Sequence, residues 1–501
     1  MRKTPIALLL LVASSAFASA NLDFFSNNEV QLVDPASKAT FQWSVYNFGD
    51  AAAASTVLTM PLPAGARFIG GTPFFTSAAC SEASGVVTCS LGSVPAMPDV
   101  PRSPVIVSFD VFAPNGGGVF DTIATLTSPS ISKPLTEKMT LDVYRDFTIT
   151  SNADSGQGTL RQMILDTNAI CLDAATCRIH FDLGASPATI TPLTPLPAIT
   201  SLSAIFSTDM PVTTPIDTPR KVSIDGSKLT KGDGLVITTA GAVGISGLNV
   251  HHFPWNGIVA FGGSGAVSVS LSFADDNGMR GVALLSGSSL NFLRGAARNN
   301  RGSGIYVSAA GAAADVAEST IAGNGASGIF SDAVGALISL NTIVHNGQFG
   351  VAITKRSSTY LLDNSISQNG VLGVDRGLDF RSINDPAVPN APTILDATYD
   401  ASTNSTVVRM RWDATPEQLA TFGHIAQFYL YANTTVGGYG QPEAERKLEK
   451  KGEQRGSDGV DVIRVDGDLR GQVVTAYATI YRFGDDIFPV STELSSGMPV
   501  Q

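Results

Sequence analysis

The sequence predicts an all-β chain, a parallel β-helix solenoid flanked by two β-sandwich domains, and three observations predict it. Asparagines recur about every 23 residues between positions 250 and 385. Apolar residues alternate with polar ones on either side of that region. Glycine (49) and proline (27) punctuate a chain of 501 residues in which 15% are charged, against roughly 25% in ordinary soluble proteins. That length exceeds one ordinary core, and 44% hydrophobic residues with a mean hydropathy of +0.17 exclude a disordered chain. A formal net charge of -11 lacks the basic footprint of a nucleic-acid binder. Nucleic acid is therefore not an expected partner. Beyond residue 20 no apolar run reaches the roughly 18 residues of a membrane helix, so membrane insertion is not expected either.

The first element is a targeting segment. Arg2 and Lys3 precede an apolar stretch from Pro5 to Val12, and Ala18-Ser19-Ala20 has the small-x-small form of a cleavage site. Residues 1–20 thus read as an export signal, and the expected location is extracellular, periplasmic or at the cell surface. The four cysteines form two close pairs, Cys80 with Cys89 and Cys171 with Cys177, which suits local disulfides in an oxidising compartment. Neither pair has the CxxC spacing of a structural zinc site, so no metal is expected there.

Residues 21–145 read as antiparallel β. Phe41, Trp43 and Val45 alternate with polar neighbours, and Val105, Val107, Phe109 and Val111 largely repeat the pattern. The order Val45-Tyr46-Asn47-Phe48-Gly49, Leu62-Pro63-Ala64-Gly65, Cys80, then Val87-Thr88-Cys89-Ser90-Leu91-Gly92 resembles the DUF11 family of immunoglobulin-like bacterial surface modules. That resemblance implies a spacer or presentation domain, not a catalyst.

The pattern changes near residue 150. The Thr159 hydroxyl is placed to cap a helix while Gln162 reaches back as in a capping box, and Leu160, Met163, Ile164 and Thr167 fall on one face. A lone amphipathic helix ahead of a strand stack reads as a cover for its open end. Asp154-Ser155-Gly156-Gln157-Gly158-Thr159-Leu160-Arg161-Gln162-Met163-Ile164, with Ile179-His180-Phe181-Asp182 and Val222-Ser223-Ile224-Asp225-Gly226 downstream, resembles the opening of bacterial right-handed parallel β-helix proteins with a CSLREA-type cap. Thr-Leu-Arg-Gln-Met stands where Ser-Leu-Arg-Glu-Ala is commoner.

The solenoid is expected over 146–386. Asparagines at 256, 277, 300, 324, 346 and 369 are each followed by a glycine within two positions. A second column runs Ile258, Val282, Ile305, Ile329, Val351 and Val374; a third runs Val269, Phe292, Val316, Ile338 and Leu361; a fourth runs Ala274, Ala297, Ile321, Ile343 and Ile366. Four positions in one register mean coils stacked about 4.8 Å apart. The columns are then interior, and the ladder of Asn277, Asn300, Asn324, Asn346 and Asn369 is expected to take left-handed corners and bond amide to amide. The period is too short for propeller blades and lacks leucine-rich spacing.

After a proline-rich linker (Asn384 to Pro392) the alternation returns. Val408, Met410 and Trp412 share a face against Arg409 and Arg411, giving a second β-sandwich over 387–501, with the doubly charged Arg446 to Arg455 segment expected at an exposed hairpin tip.

Solenoids of this kind can align acid, base and cation ligands from successive coils along a sugar chain, but fold alone does not establish activity. The candidate catalytic residues are Asp275, Asp276, Arg298 and His345, with Lys355 and Arg356 beyond. By register Asp276, Asn299, Gly323, His345 and Gln368 are equivalent, which puts Asp276 and His345 three coils and about 14 Å apart. That is too far for a catalytic pair. No acidic column is present for calcium, so no cofactor is expected unless the chain is a lyase. His251 and His252 invite a metal reading, yet strand neighbours point to opposite faces, so a solvated or packed pair is expected. Two functions from different classes follow: a non-catalytic structural, adhesive or glycan-recognition protein, and a polysaccharide lyase, hydrolase or epimerase. Extracellular polysaccharide or cell-surface components are the partners implied by either.

Overall fold

Alternation in the first segment does what its period dictates. In the computed structural model, which describes residues 19–74, 80–96, 104–172, 177–184, 187–201, 203–309, 311–355, 357–378, 390–422, 425–434, 444, 446–455, 459–481 and 490–501, Phe41, Trp43, Val45, Val107, Phe109 and Val111 are all buried. The export segment apart from its last two residues, most of the proline-rich linker and Arg356 lie outside the described residues. The chain divides into two compact units, one ending at Arg145 and the other starting at Asp146.

The first unit is a pair of sheets. The four-stranded sheet runs Leu22–Ser26, Lys38–Asn47, Val105–Phe112, Arg67–Phe74; the six-stranded sheet runs Val30–Val33, Leu135–Val143, Gly118–Thr127, Ala53–Pro61, Val86–Val94, Cys80–Ala83. Trp43 and Phe109 pack at 5.5 Å between ring centroids in the core. Cys80 and Cys89 face each other across paired strands and are joined, as are Cys171 and Cys177 in the second unit.

The second unit is a right-handed parallel β-helix with three faces. The first face is a nine-stranded sheet from Arg145–Ile149 to Ser358–Leu362, the second an eight-stranded sheet from Ala188–Ile190 to Ser365–Ser367, and the third a seven-stranded sheet from Leu235–Ile237 to Val374–Arg376. All three predicted apolar columns are interior: Val269, Phe292, Val316, Ile338 and Leu361 on the first face, Ala274 to Ile366 on the second, and Ile258 to Val374 on the third.

The asparagine ladder is real, but its backbone is not the expected one. The left-handed residues are those just before the ladder positions, His252 before Phe253 and Asp276, Asn299, Gly323, His345 and Gln368 before the asparagines, with φ of 58, 53, 55, 68, 57 and 55°. Each asparagine then turns inward, where its Nδ2 donates to the next amide oxygen at 2.8–3.0 Å from Asn277 through Asn369. The same oxygens accept backbone N–H groups, and the second amide hydrogen goes to an interior carbonyl such as Ala274 O. Burial without loss of hydrogen bonds is thereby achieved.

Asn256 does not belong to this ladder. Phe253 takes that place, its N–H donating to Asn277 Oδ1, while Asn256 bonds Asp233 one coil back. A second, shorter ladder escaped the sequence reading: at the corner between first and second faces Asn341 Nδ2 donates to Asn364 Oδ1, and Ser319 and Ser272 hold equivalent places upstream.

The helix Leu160–Ile170 adds Leu160, Met163 and Ile164 to the solenoid core. Thr159 Oγ1 accepts the Gln162 N–H as expected, but the Gln162 side chain bonds Asp166 instead of reaching back. Arg161 explains the motif around it. Its guanidinium donates to Asp154 Oδ1 and to the carbonyls of Thr194 and Pro195, tying the helix to the following loop. The Arg161 hydrogen bond holds the Asp154 carboxyl below its ordinary value.

At the other end lies the five-stranded sheet of Arg446–Arg455, Ile425–Asn433, Val473–Tyr481, Val490–Ser491 and Met498–Pro499, whose central strands Ile425–Asn433 and Val473–Tyr481 bury side chains on both faces. Phe428 and Leu430 pack with Val408, Met410 and Trp412 of the three-stranded sheet. Tyr429, Tyr431 and Tyr477 instead join the solenoid core. The segment Arg446–Arg455 is a full strand of this sheet, paired along Ile425–Asn433, and not a hairpin tip. Leu448, its third residue, is buried in the core with Phe428 and Leu430.

Candidate functional site

The charged residues singled out in the sequence converge on the outer side of the second face. Strands Val222–Asp225, Leu248–His251, Phe273–Asp275 and Ala296–Arg298 stack in parallel. Their register sets Asp225 beside His251 and His251 beside Asp275, with Arg298 next in the column. The adjoining left-handed column adds His252 and Asp276. Six chemically active side chains thus share four consecutive coils.

Asp275 and Arg298 form the centre. Both carboxylate oxygens accept from the Arg298 guanidinium, at 2.7 Å for the shortest contact, and Oδ1 accepts the Arg298 backbone N–H as well. Burial lifts the Asp275 carboxyl above its ordinary value against this pairing. Burial also works against the Arg298 charge, but hydrogen bonds and attraction from Asp275 outweigh it and raise Arg298. Three N–H donors on one carboxylate favour its ionised form, so the pair is charged at neutral pH.

Phe273 lies between two guanidinium groups. Arg298 sits 4.5 Å and Arg220 3.8 Å from its ring centroid. Arg220 comes from the long loop joining Ser203–Ser207 to Val222–Asp225, which folds over the corner between first and second faces and reaches Arg294 three coils downstream. Burial, followed by the nearby Arg298 charge, pulls Arg220 down to about 10. It remains protonated at neutral pH and spends its donors on Thr218 O and Ile216 O.

His251 and His252 correct the sequence reading. The positive φ of His252 breaks strand alternation, so the two imidazoles lie on the same side, with their Nδ1 atoms 2.8 Å apart. Both face Asp225, whose carboxylate also accepts the Ser227 N–H and hydroxyl. Burial lowers His251 below its ordinary value. Asp225 is lowered: burial opposes its charge, and the Ser227 hydrogen bonds and the histidines overcome that opposition.

His345 stays apart from this cluster. It occupies the same left-handed column as Asp276, with Asn299 and Gly323 between. The outward column that begins at Asp225 continues beyond Arg298 as Ala322, Val344 and Ser367, so its charge ends at the fourth coil. Lys355 is exposed just after the third-face strand Val351–Ile353 and belongs to another side of the solenoid. The signal that would have found His251 and His252 is their place immediately before Phe253, the position the asparagines hold in later coils.

Comparison with known proteins agrees on the coil. A family model described as "Right handed beta helix region" matches residues 233–382. No curated protein matches the chain in sequence. Among solved structures it is similar to the A-module of the Azotobacter vinelandii mannuronan C-5 epimerase AlgE6, at 15% identity and a TM-score of 0.31, over 47% of this chain and 70% of that one. Tailspike protein 2 of the Escherichia coli O157:H7 bacteriophage CAB120 is similar at 10% identity and a TM-score of 0.24, over 70% of this chain and 64% of that one. Likeness this remote carries no argument about activity.

Proposed function

We propose that the chain is an exported, non-catalytic glycan-recognition protein whose binding face is the polar strip of the second solenoid face. The observation that carries this reading is the column Asp225, His251, Asp275 and Arg298, four hydrogen-bonding side chains repeated at the strand spacing on a rigid sheet. A regular donor and acceptor row matches a chain of repeating hydroxyl-bearing units. Export rests on the amino-terminal signal pattern, and the first unit serves as a DUF11-like spacer, with the helix Leu160–Ile170 as a CSLREA-type cap.

The charge of the strip narrows the ligand. Asp225, Asp275 and Asp276 outnumber Arg298, on a chain whose net charge is -11. Like charges disfavour a polyuronate, so the ligand is a neutral or amino-bearing glycan. Catalysis is disfavoured because Asp275 is already engaged by three N–H groups and His345 lies three coils from Asp276. The contrary reading, a polysaccharide-modifying enzyme, draws support from His251 and His252 joining the Asp pair on neighbouring coils.

The test is a panel of neutral, amino-bearing and uronate polysaccharides, read both for binding and for new reducing or unsaturated ends. The parent is expected to bind neutral or amino-bearing chains without releasing products. His252→Asn with Asp276→Asn should weaken binding roughly tenfold, the worth of one charge-assisted hydrogen bond. Preferential uronate binding, or variants equal to the parent, would refute the strip. Product release by the parent that these variants abolish would establish the enzyme instead.

A further inference from the structure

Asp225, His251 and His252 bring three metal-ligating atoms together, where strand alternation would have parted the two imidazoles. The ligand atoms lie within 4.8 Å of one another. His251 Nδ1 to His252 Nδ1 is 2.8 Å, His252 Nδ1 to Asp225 Oδ1 is 3.2 Å, and His251 Nδ1 to the same oxygen is 3.9 Å. A triangle with those edges has its centre about 2.0 Å from every corner, which is the zinc–nitrogen and zinc–oxygen bond length. An ion raised slightly out of that plane would keep all three bonds and leave a fourth, outward position open.

We propose that Asp225, His251 and His252 form a binding site for a divalent first-row transition metal, with zinc as the expected occupant. Two imidazoles and one carboxylate suit zinc and its neighbours in the series, whereas calcium and magnesium take oxygen ligands. The supporting shell is in place. Ser227 fixes the Asp225 carboxylate with its N–H on Oδ1 and its hydroxyl on Oδ2, both at 3.0 Å. Asp275, beside His251 in the ladder, adds negative potential, as does Asp276.

The protonation chemistry fits as well. Two ring nitrogens facing each other at 2.8 Å hold a single proton between them, and an arriving cation displaces it. The left-handed backbone at His252 is the device that makes the site, because a strand conformation would send the two rings to opposite faces.

This site stands whether or not the strip binds a glycan, so the probe is the metal alone. The full chain, stripped with a chelator, is titrated with Zn2+ by calorimetry, and Co2+ is used in parallel for its visible absorption as a four-coordinate ion. The parent should bind one zinc ion per chain and give the cobalt band. His252→Asn, which keeps a residue tolerant of positive φ, and Asp225→Asn should each weaken zinc binding at least about 100-fold, beyond the 10–100-fold that outer-shell partners are worth. His345→Asn, at the equivalent position four coils away, should bind as the parent does. Unfolding midpoints measured without metal establish that the variants are folded. A flat titration of the parent up to millimolar zinc, or undiminished binding by His252→Asn, would overturn the assignment.

Discussion

Two columns of left-handed residues turn the corners of each coil, and at most positions they are not glycine. Between the first and second faces they are Leu271, Arg294, Glu318, Leu340 and Asp363; after the second face they are the series from His252 to Gln368. Outside glycine, this conformation costs about 1–2 kcal/mol per residue, less for Asn and Asp. Histidine, asparagine and aspartate occupy four positions of the second column, in the conformation where such residues are enriched. Leu340 is the least suited, with φ 55° and an exposed side chain that returns little packing energy. Leu340→Gly should therefore raise stability by up to about 1 kcal/mol, relief of strain exceeding the entropy glycine costs the folded chain. Gly323→Ala should do the reverse, since its φ is 68° and an added Cβ would meet Asn299 Oδ1 at 2.6 Å. Denaturant midpoints check both, and a destabilised Leu340→Gly would show that the Leu340 side chain packs better than its exposure indicates.

At the scale of the element, the repeat was legible because one side-chain type must fill the same interior place in every coil. Ile343, Ile321 and Ile366 are registered neighbours in the second face and all are buried. Ile343→Asp places an unpaired carboxylate in that column and should cost several kcal/mol, whereas Val344→Asp, on the outward column, should cost much less. Equal midpoints would refute the register. The errors have physical causes too. Spacing alone admitted Asn256 to the ladder, because a gap of 21 residues falls only one short of coils that vary between 22 and 24, while the true occupant, Phe253, carries no side-chain amide to mark it. The Asn341–Asn364 ladder is only two asparagines long, its upstream places held by serine, so it leaves no period. Of the site, Asp275, Asp276 and Arg298 could be placed by register, but the joining of His251 and His252 depends on one backbone torsion that alternation rules do not foresee.

In the second unit as a whole, a stack of parallel coils has two open ends, and each exposes apolar side chains and unpaired strand edges. The helix Leu160–Ile170 covers one. The other is closed by the five-stranded sheet, whose Tyr429, Tyr431 and Tyr477 lie on the last coils while Tyr477 Oη donates to Leu361 O and the Leu361 N–H donates to Ser491 Oγ. Arg376, at the end of the third face, joins the two parts most directly. Its backbone N–H donates to Glu493 Oε1, and its guanidinium donates to Ser491 O, Ser357 O and Thr359 O, all of it buried. Burial pulls Arg376 down to about 10, with Glu493 opposing, so the arginine is charged at neutral pH and its partner charge is nearby. Arg376→Met keeps the backbone N–H on Glu493 but removes the buried positive charge near that carboxylate and the guanidinium donors to the Ser491, Ser357 and Thr359 carbonyls. The expected loss is about 3–5 kcal/mol. Because the contacts bridge the solenoid and the sheets after residue 390, the variant should also expose the carboxyl-terminal sheets to limited proteolysis before the solenoid core is cut. Arg376→Met combined with Glu493→Gln should recover only part of the loss, since the amide relieves the stranded charge but supplies no donor to Ser357 O or Thr359 O. A single variant within about 1 kcal/mol of the parent, with an unchanged cleavage pattern, would mean that the tyrosine face alone closes this end of the solenoid.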